Sequence, residues 1–135
     1  MPEQAPFPIR TECPPGACDC RRDELLAASG ADLRVLRLTG QEEKKLLARI
    51  DAIDDYVQLR ELEQRLQALL GVRLEITPSA NEVRTVRGFH IALLDQPGLC
   101  RKTRQAVPAA IRRCLERHPA IAYAILDAGD LLGRA

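Results

Sequence analysis

Thr39–Gly71, TGQEEKKLLARIDAIDDYVQLRELEQRLQALLG, is the stretch that constrains how the rest of this chain folds. Thr39 is followed three positions later by Glu42, the capping-box pattern in which the hydroxyl takes the third-position amide of a new helix and the carboxylate reaches back to the cap. A helix therefore starts there. Its apolar stripe runs Leu46, Ile50, Ile53, Val57 at steps of four, three and four, and a second stripe runs Leu59, Leu62, Leu66, Leu69 at three, four and three. The step of two between Val57 and Leu59 breaks the phase, and Asp55 with Gln58 repeats the capping pattern beside the break. The spacing predicts two helices packed as a hairpin, the second ended by Gly71.

Working outward, Arg22 to Ser29 reads as a short helix ended by Gly30, and Leu33 to Leu38 (LRVLRL) alternates apolar and basic residues as a strand does. On the other side of the hairpin, Val72 to Thr77 (VRLEIT) alternates cleanly. The segment 78–82 is a hairpin-length loop, and Val83 to Leu94 (VRTVRGFHIALL) is a second strand with Gly88 as a bulge position. The turn Asp95-Gln-Pro-Gly98 leads to a helix with Val107, Ile111, Cys114 and Leu115 on one face. Pro108 either opens the regular part of this helix or kinks a longer one starting near Cys100. His118-Pro119 stops it. Ala120 to Leu126 (AIAYAIL) is apolar on both faces and suits a covered strand, with a short buried helix as the alternative. The order is then β, helical hairpin, β, β, α, β. It implies an α+β fold of the ferredoxin-like, split β-α-β kind, an antiparallel sheet with its helices on one face. Residues 1–21 form an N-terminal arm with a Cys-rich knuckle, and residues 22–135 form the single domain that a 135-residue chain allows.

The net charge of +1 hides an asymmetry. Residues 1–70 carry 10 Lys and Arg against 13 Asp and Glu, and residues 71–135 carry 10 against 6. Within Leu99–His118, Arg101, Lys102, Arg104, Arg112, Arg113 and Arg117 face only Glu116. A basic face of this kind binds either phosphates or an acidic protein partner, and it equally suits a solvated helix face. The proline-rich N-terminus, MPEQAPFPIRTE, has no apolar run to serve as a secretory signal, and the longest apolar run is too short to span a bilayer. The cytoplasm, a reducing compartment, is the expected location, with no membrane partner.

In that setting the cluster Cys13-Pro-Pro-Gly-Ala-Cys-Asp-Cys20 reads as chemistry rather than as structural disulfides. Pro15-Gly16 has the residue types of a type II turn, which folds Cys13 back towards Cys18, with Cys20 two residues on. Three thiolates so placed select zinc, copper(I) or an iron–sulfur cluster, and a closed tetrahedral site needs a fourth. Cys114 lies in an apolar helical stripe and reads as core. Cys100 sits beside a Pro-Gly turn at the start of a helix, next to Arg101 and Lys102, a setting that favours a thiolate. The expected ligands are therefore Cys13, Cys18, Cys20 and Cys100, holding zinc or an iron–sulfur cluster that pins the arm to the Pro97-Gly98 turn. The same thiols also suit a redox or metal-transfer site.

No other constellation competes. Ser29, Ser79, His90 and His118 share no catalytic motif, there is no Gly-rich phosphate loop, and no small-molecule substrate suggests itself. Arg87-Gly-Phe89 is similar to the opening of the RNP1 motif of RNA-recognition motifs, but His90, Ile91 and Leu94 stand where that motif continues with a small residue and aromatics. Nucleic-acid binding would then rest on phosphate contacts from Arg84, Arg87 and the basic residues of 101–117. The leading expectation is a non-enzymatic, metal-binding α+β module with a structural, sensory or partner-binding role.

Overall fold

The computed structural model describes residues 9–10, 20–78 and 89–133. Helix α1 is Arg22–Ala27, and a 3-10 turn follows at Arg34–Arg37. Helix α2 is Gly40–Asp51 and α3 is Tyr56–Arg65, which runs on into a π-helical turn at Leu66–Leu70. Strand β1 is Leu74–Pro78 and β2 is Phe89–Leu93. The chain then forms α4, Arg101–Arg117, and α5, Pro119–Gly133.

Both helices start at the N-cap residues the sequence predicts, although the Glu42 carboxylate does not return a bond to Thr39, whose amide donates to the Arg37 carbonyl at 2.8 Å. The Thr39 hydroxyl accepts from the Glu42 amide and the Asp55 carboxylate from the Gln58 amide, at 3.3 and 2.8 Å. Gln58 reaches back and its Oε1 accepts from the Asp54 amide at 2.8 Å, so the second cap works in both directions. Gly71 ends the π-helical turn with φ +66°. There Arg34 stands over the helix end. Its Nη1 donates to the Ala68 carbonyl at 2.9 Å, while Nε and Nη2 grip the two oxygens of Asp32 at 3.0 and 2.8 Å. A cation at this end of a helix satisfies carbonyls that have no amide left to bond.

The two strands pair antiparallel with Leu74 opposite Leu93, Ile76 opposite Ile91 and Pro78 opposite Phe89. Phe89, Ile91 and Leu93 are buried and His90 is exposed, so alternation sets the face as expected. Helix α4 lies against β2 and against α2, and α5 packs on α3 and α4, so α2 and α3 rest on these later helices and do not pack on each other as the expected hairpin. Leu36, Ile50, Leu59, Ile111, Leu115 and Ile121 are fully enclosed between these elements. Pro108 lies inside a helix that is continuous from Arg101 to Arg117, so the reading in which it opens the regular part does not hold.

Two expected strands are helical, and with them the ferredoxin-like order fails; among the described residues the α+β architecture contains a two-stranded sheet. At Leu33–Leu38 the alternation misleads because Val35 and Leu36, neighbours in sequence, are both buried. A strand would send them to opposite faces. Asp32 decides the outcome locally by accepting the Arg34 amide at 3.1 Å, a side-chain bond that starts a turn, and Leu36 and Leu38 then close three-residue bonds to Leu33 and Val35. In α5 the buried positions are Ile121, Ala122 and Ile125, a helical stripe, while Tyr123 is 62% exposed. Ala120, Ala122 and Ala124 carry high helix propensity, and Pro119 is tolerated in the first turn, where its missing amide costs nothing.

Gly98 joins several of these pieces. Its φ is +91°, and a Cβ there would stand 2.7 Å from both Leu25 Cδ2 and Val35 Cγ1. Gly98→Ala is expected to destabilise the chain by about 2–4 kcal/mol, combining left-handed backbone strain with overpacking against a stiff valine. Urea unfolding measures it, and an unchanged midpoint would show that the turn relaxes freely. The Asp32 carboxyl is held below the usual aspartate range, first by its side-chain bond to Arg34. Its folded-state value is depressed, so its contribution to stability is present above the unfolded value of about 3.9 and is lost as pH falls through the folded value. The gap in urea midpoint between the native chain and Asp32→Asn should therefore be open at pH 6 and narrow progressively as the pH falls below about 3.9.

Candidate functional site

Of the four expected ligands, Cys13 and Cys18 lie outside the described residues, as do Arg84 and Arg87. Cys20 and Cys100 are both buried, at 4% and 2% exposure, and both belong to the junction built around Gly98. Cys20 presents its carbonyl to the Gly98 amide. Arg21, immediately after it, is the one non-glycine with positive φ among the described residues, at 55°, and it turns the chain into α1. Cys100 follows Gly98 by two residues and occupies the N-cap position of α4, with Leu99 buried between them. The turn thus carries one cysteine and receives the other.

A residue absent from the expected set completes the junction. Arg10 is 6% exposed. Its amide donates to the Leu36 carbonyl at 2.6 Å, and its Nη2 reaches both the Gly98 carbonyl at 2.7 Å and Cys20 Sγ at 3.6 Å. Both polar groups of the Gly98 backbone are therefore used by the N-terminal segment, the amide by Cys20 and the carbonyl by Arg10. Sequence pattern offers little to find Arg10, because a single arginine between prolines has no periodicity. The available signal is that it is the cation nearest in sequence to the first cysteine of the cluster.

Cys114 behaves as the core residue its helical stripe predicts. It is fully buried, its thiol donates to the Ile53 carbonyl at 3.7 Å, and burial, reinforced by Asp51 and Asp54, pushes the thiol up against the opposing effect of Arg117. Among the described residues no three His, Cys, Asp or Glu side chains form a metal-binding group by themselves. A site at this turn needs ligands from residues 11–19.

The cations of α4 divide into two kinds. Arg101, Lys102, Arg113 and Arg117 are exposed, and two of these, with Arg104 and Arg112, also meet a group of the fold. Lys102 stands 3.9 Å from the buried carboxylate of Glu43, which also accepts from Thr103 Oγ1 at 3.2 Å. Arg104 pairs with Asp95 at 3.3 Å, Arg112 donates to the Phe89 carbonyl at 3.0 Å, and Arg117 donates to the Asp51 carbonyl at 3.2 Å. A groove of about 790 Å³ beside the α2–α3 corner, with Ile53, Leu62 and Leu69 among its lining residues, shares none of them with the turn. Among the described residues no helix is long and apolar enough to cross a membrane. Comparisons with protein-family models, curated proteins and solved structures find no match for this chain.

Cys114 is expected to resist alkylation in the folded protein and to be modified on the timescale of unfolding. Raising the pH from 7 to 9 should speed its reaction less than that of an exposed thiol, because opening of the fold, and not ionisation of the thiol, limits the rate. Peptide mapping after timed alkylation reads this directly, and rapid modification in the absence of denaturant would refute it.

Proposed function

We propose that this chain is a non-enzymatic metal-binding α+β module, working in a reducing compartment such as the cytoplasm. Thiolates of Cys13, Cys18, Cys20 and Cys100 hold zinc or an iron–sulfur cluster and fasten the N-terminal arm to the Pro97-Gly98 turn. The observation that carries this reading is that Cys20 and Cys100, 80 positions apart in sequence, belong to one buried junction, with Cys20 bonded to the glycine two residues before Cys100. Chain connectivity adds to it. Three residues span at most about 11 Å and two at most about 7 Å, so the separations from Arg10 to Cys13 and from Cys20 to Cys18 keep both cysteines within reach of the turn.

The ligand set fits the chemistry. Four thiolates close a tetrahedral site and leave no open position, the arrangement of structural zinc centres, and sulfur donors also suit iron–sulfur clusters. Within α4, Lys102, Arg104, Arg112 and Arg117 already have partners inside the fold, so the reading rests on the cysteines and not on the basic face.

Purified without oxygen, the full chain is expected to carry about one zinc ion or one cluster per molecule, measured by elemental analysis and absorption. Cys20→Ser and Cys100→Ser should each lose most of that metal, while Cys114→Ala should keep it. Chelation should lower the melting temperature of the native chain, since metal binding energy is folding energy for the segment it fastens. Native protein free of zinc, iron and copper, with a melting curve indifferent to added metal, would overturn the reading.

A further inference from the structure

Helix α3 and the π-helical turn that continues it bury Leu59, Leu62 and Leu66 in the core. Val57, Glu61, Gln64 and Ala68, at steps of four, three and four, therefore line the opposite side of the helix, and all four are exposed. Val57 is 62% exposed and Leu69, next to Ala68, is 47% exposed, so two large apolar side chains meet water on one helical surface. The groove of about 790 Å³ runs between this surface and the end of α2, with buried Ile53 and Leu62 and exposed Arg65 among its lining residues.

The spacing of the exposed stripe reads the same from either end, and so does its order of apolar, polar, polar, apolar. Two copies laid antiparallel across a two-fold axis midway between Glu61 and Gln64 therefore match along its length. Val57 of one copy falls opposite Ala68 of the other and beside its Leu69. Glu61 falls opposite Gln64 and beside Arg65, so a carboxylate meets an amide and a guanidinium, both of them donors. A parallel alignment would set Glu61 against Glu61, and like charges facing across an interface are costly.

We propose that α3 is a self-association surface through which two copies of this chain pair antiparallel, the exposed ridge of each lying along the groove of the other. Such a contact is isologous and closes on itself, so it yields a dimer and not a chain of copies. Charge chooses this occupant. Glu61 and Arg65 carry opposite signs four positions apart, so a uniformly acidic or basic partner matches only one of them, whereas a second copy turned end for end matches both. The apolar part, Val57, Ala68 and Leu69, is small, which places the dimer in the weak, reversible class. None of these residues belongs to the Gly98 turn, so the proposal stands independently of the metal-binding reading.

The test is sedimentation equilibrium of the full chain at low salt, with a reductant present to exclude disulfide-linked dimers. The native chain is expected to pass from monomer to dimer between micromolar and near-millimolar concentration. Glu61→Arg and Arg65→Glu each bring like charges together twice in a two-fold pair, and each should raise the dimer Kd by about 10-fold or more. An equimolar mixture of the two variants should recover a dimer of native strength, because one chain is then positive at both positions and the other negative at both. Val57→Glu should also weaken the dimer while leaving the melting temperature of the monomer unchanged or higher, since an acid suits the first turn of a helix. A native chain that stays monomeric throughout the range would overturn the proposal. So would a dimer that both charge reversals leave unchanged, or a mixture of the variants no more associated than either alone.

Discussion

Gly98 keeps its backbone at φ +91°, and Leu25 and Val35 press on it from the side where any other residue would carry a Cβ. These contacts bring α1 and the 3-10 turn up against the loop that enters α4. The same closeness buries the loop, since Leu99 and Cys100 are enclosed directly after it. Interior backbone amides and carbonyls require partners. Here the partners come from the N-terminal segment, with the Cys20 carbonyl for the Gly98 amide and the Arg10 guanidinium for the Gly98 carbonyl. The packing that demands a glycine thus also creates the polar vacancies that dock residues 10 and 20.

A second device recurs around this joint: arginine side chains satisfy carbonyls that the chain's own geometry strands. Arg34 does so at Gln67 and Ala68, where the π-helical turn ends, and Arg117 does so at Asp51, the last residue of α2. Arg112 ties α4 to the carbonyl of Phe89 at the start of β2. Of the cations that read in sequence as a basic patch, Arg104, Arg112 and Arg117 make such internal ties, while Arg101, Lys102, Arg113 and Arg117 are exposed. The Glu43–Thr103 pair adds a buried polar contact between α2 and α4, and a lone carboxylate at that interface would disfavour any other alignment of the two helices.

The parts of the fold legible in sequence are those in which a local rule and the tertiary environment agree. Thr39 and Asp55 are such places, because a cap depends on residues three positions away. The β1–β2 pairing is another, since alternation and burial coincide at Ile76 and Ile91. At Leu33–Leu38 the local rule pointed to a strand, and the Asp32 side chain, one residue outside the alternating window, reversed it. In Ala120–Leu126 an apolar run held no period for a strand or a helix to claim, so the environment of α3 and α4 chose. Of the candidate site, the separation of Cys114 from Cys100 was readable from helical phase and turn context. Arg10 was not, because what matters about it is a contact 88 residues away.

Energetics make the N-terminal segment the part of this architecture most in need of a further source of stability. Fixing each residue's backbone costs about 1–2 kcal/mol, while a hydrogen bond contributes about 1 kcal/mol net, so the bonds of Arg10 and Cys20 offset the ordering of only a few residues. The one cationic side chain they bury works against them. Partly buried Ile9 adds some apolar contact with the core. In the proposed site, thiolates gathered on a metal would change that balance. They would supply a binding energy large enough to order a short segment. The Arg10 guanidinium and the Cys20 sulfur lie in contact, and the glycine turn is where the chain brings them together.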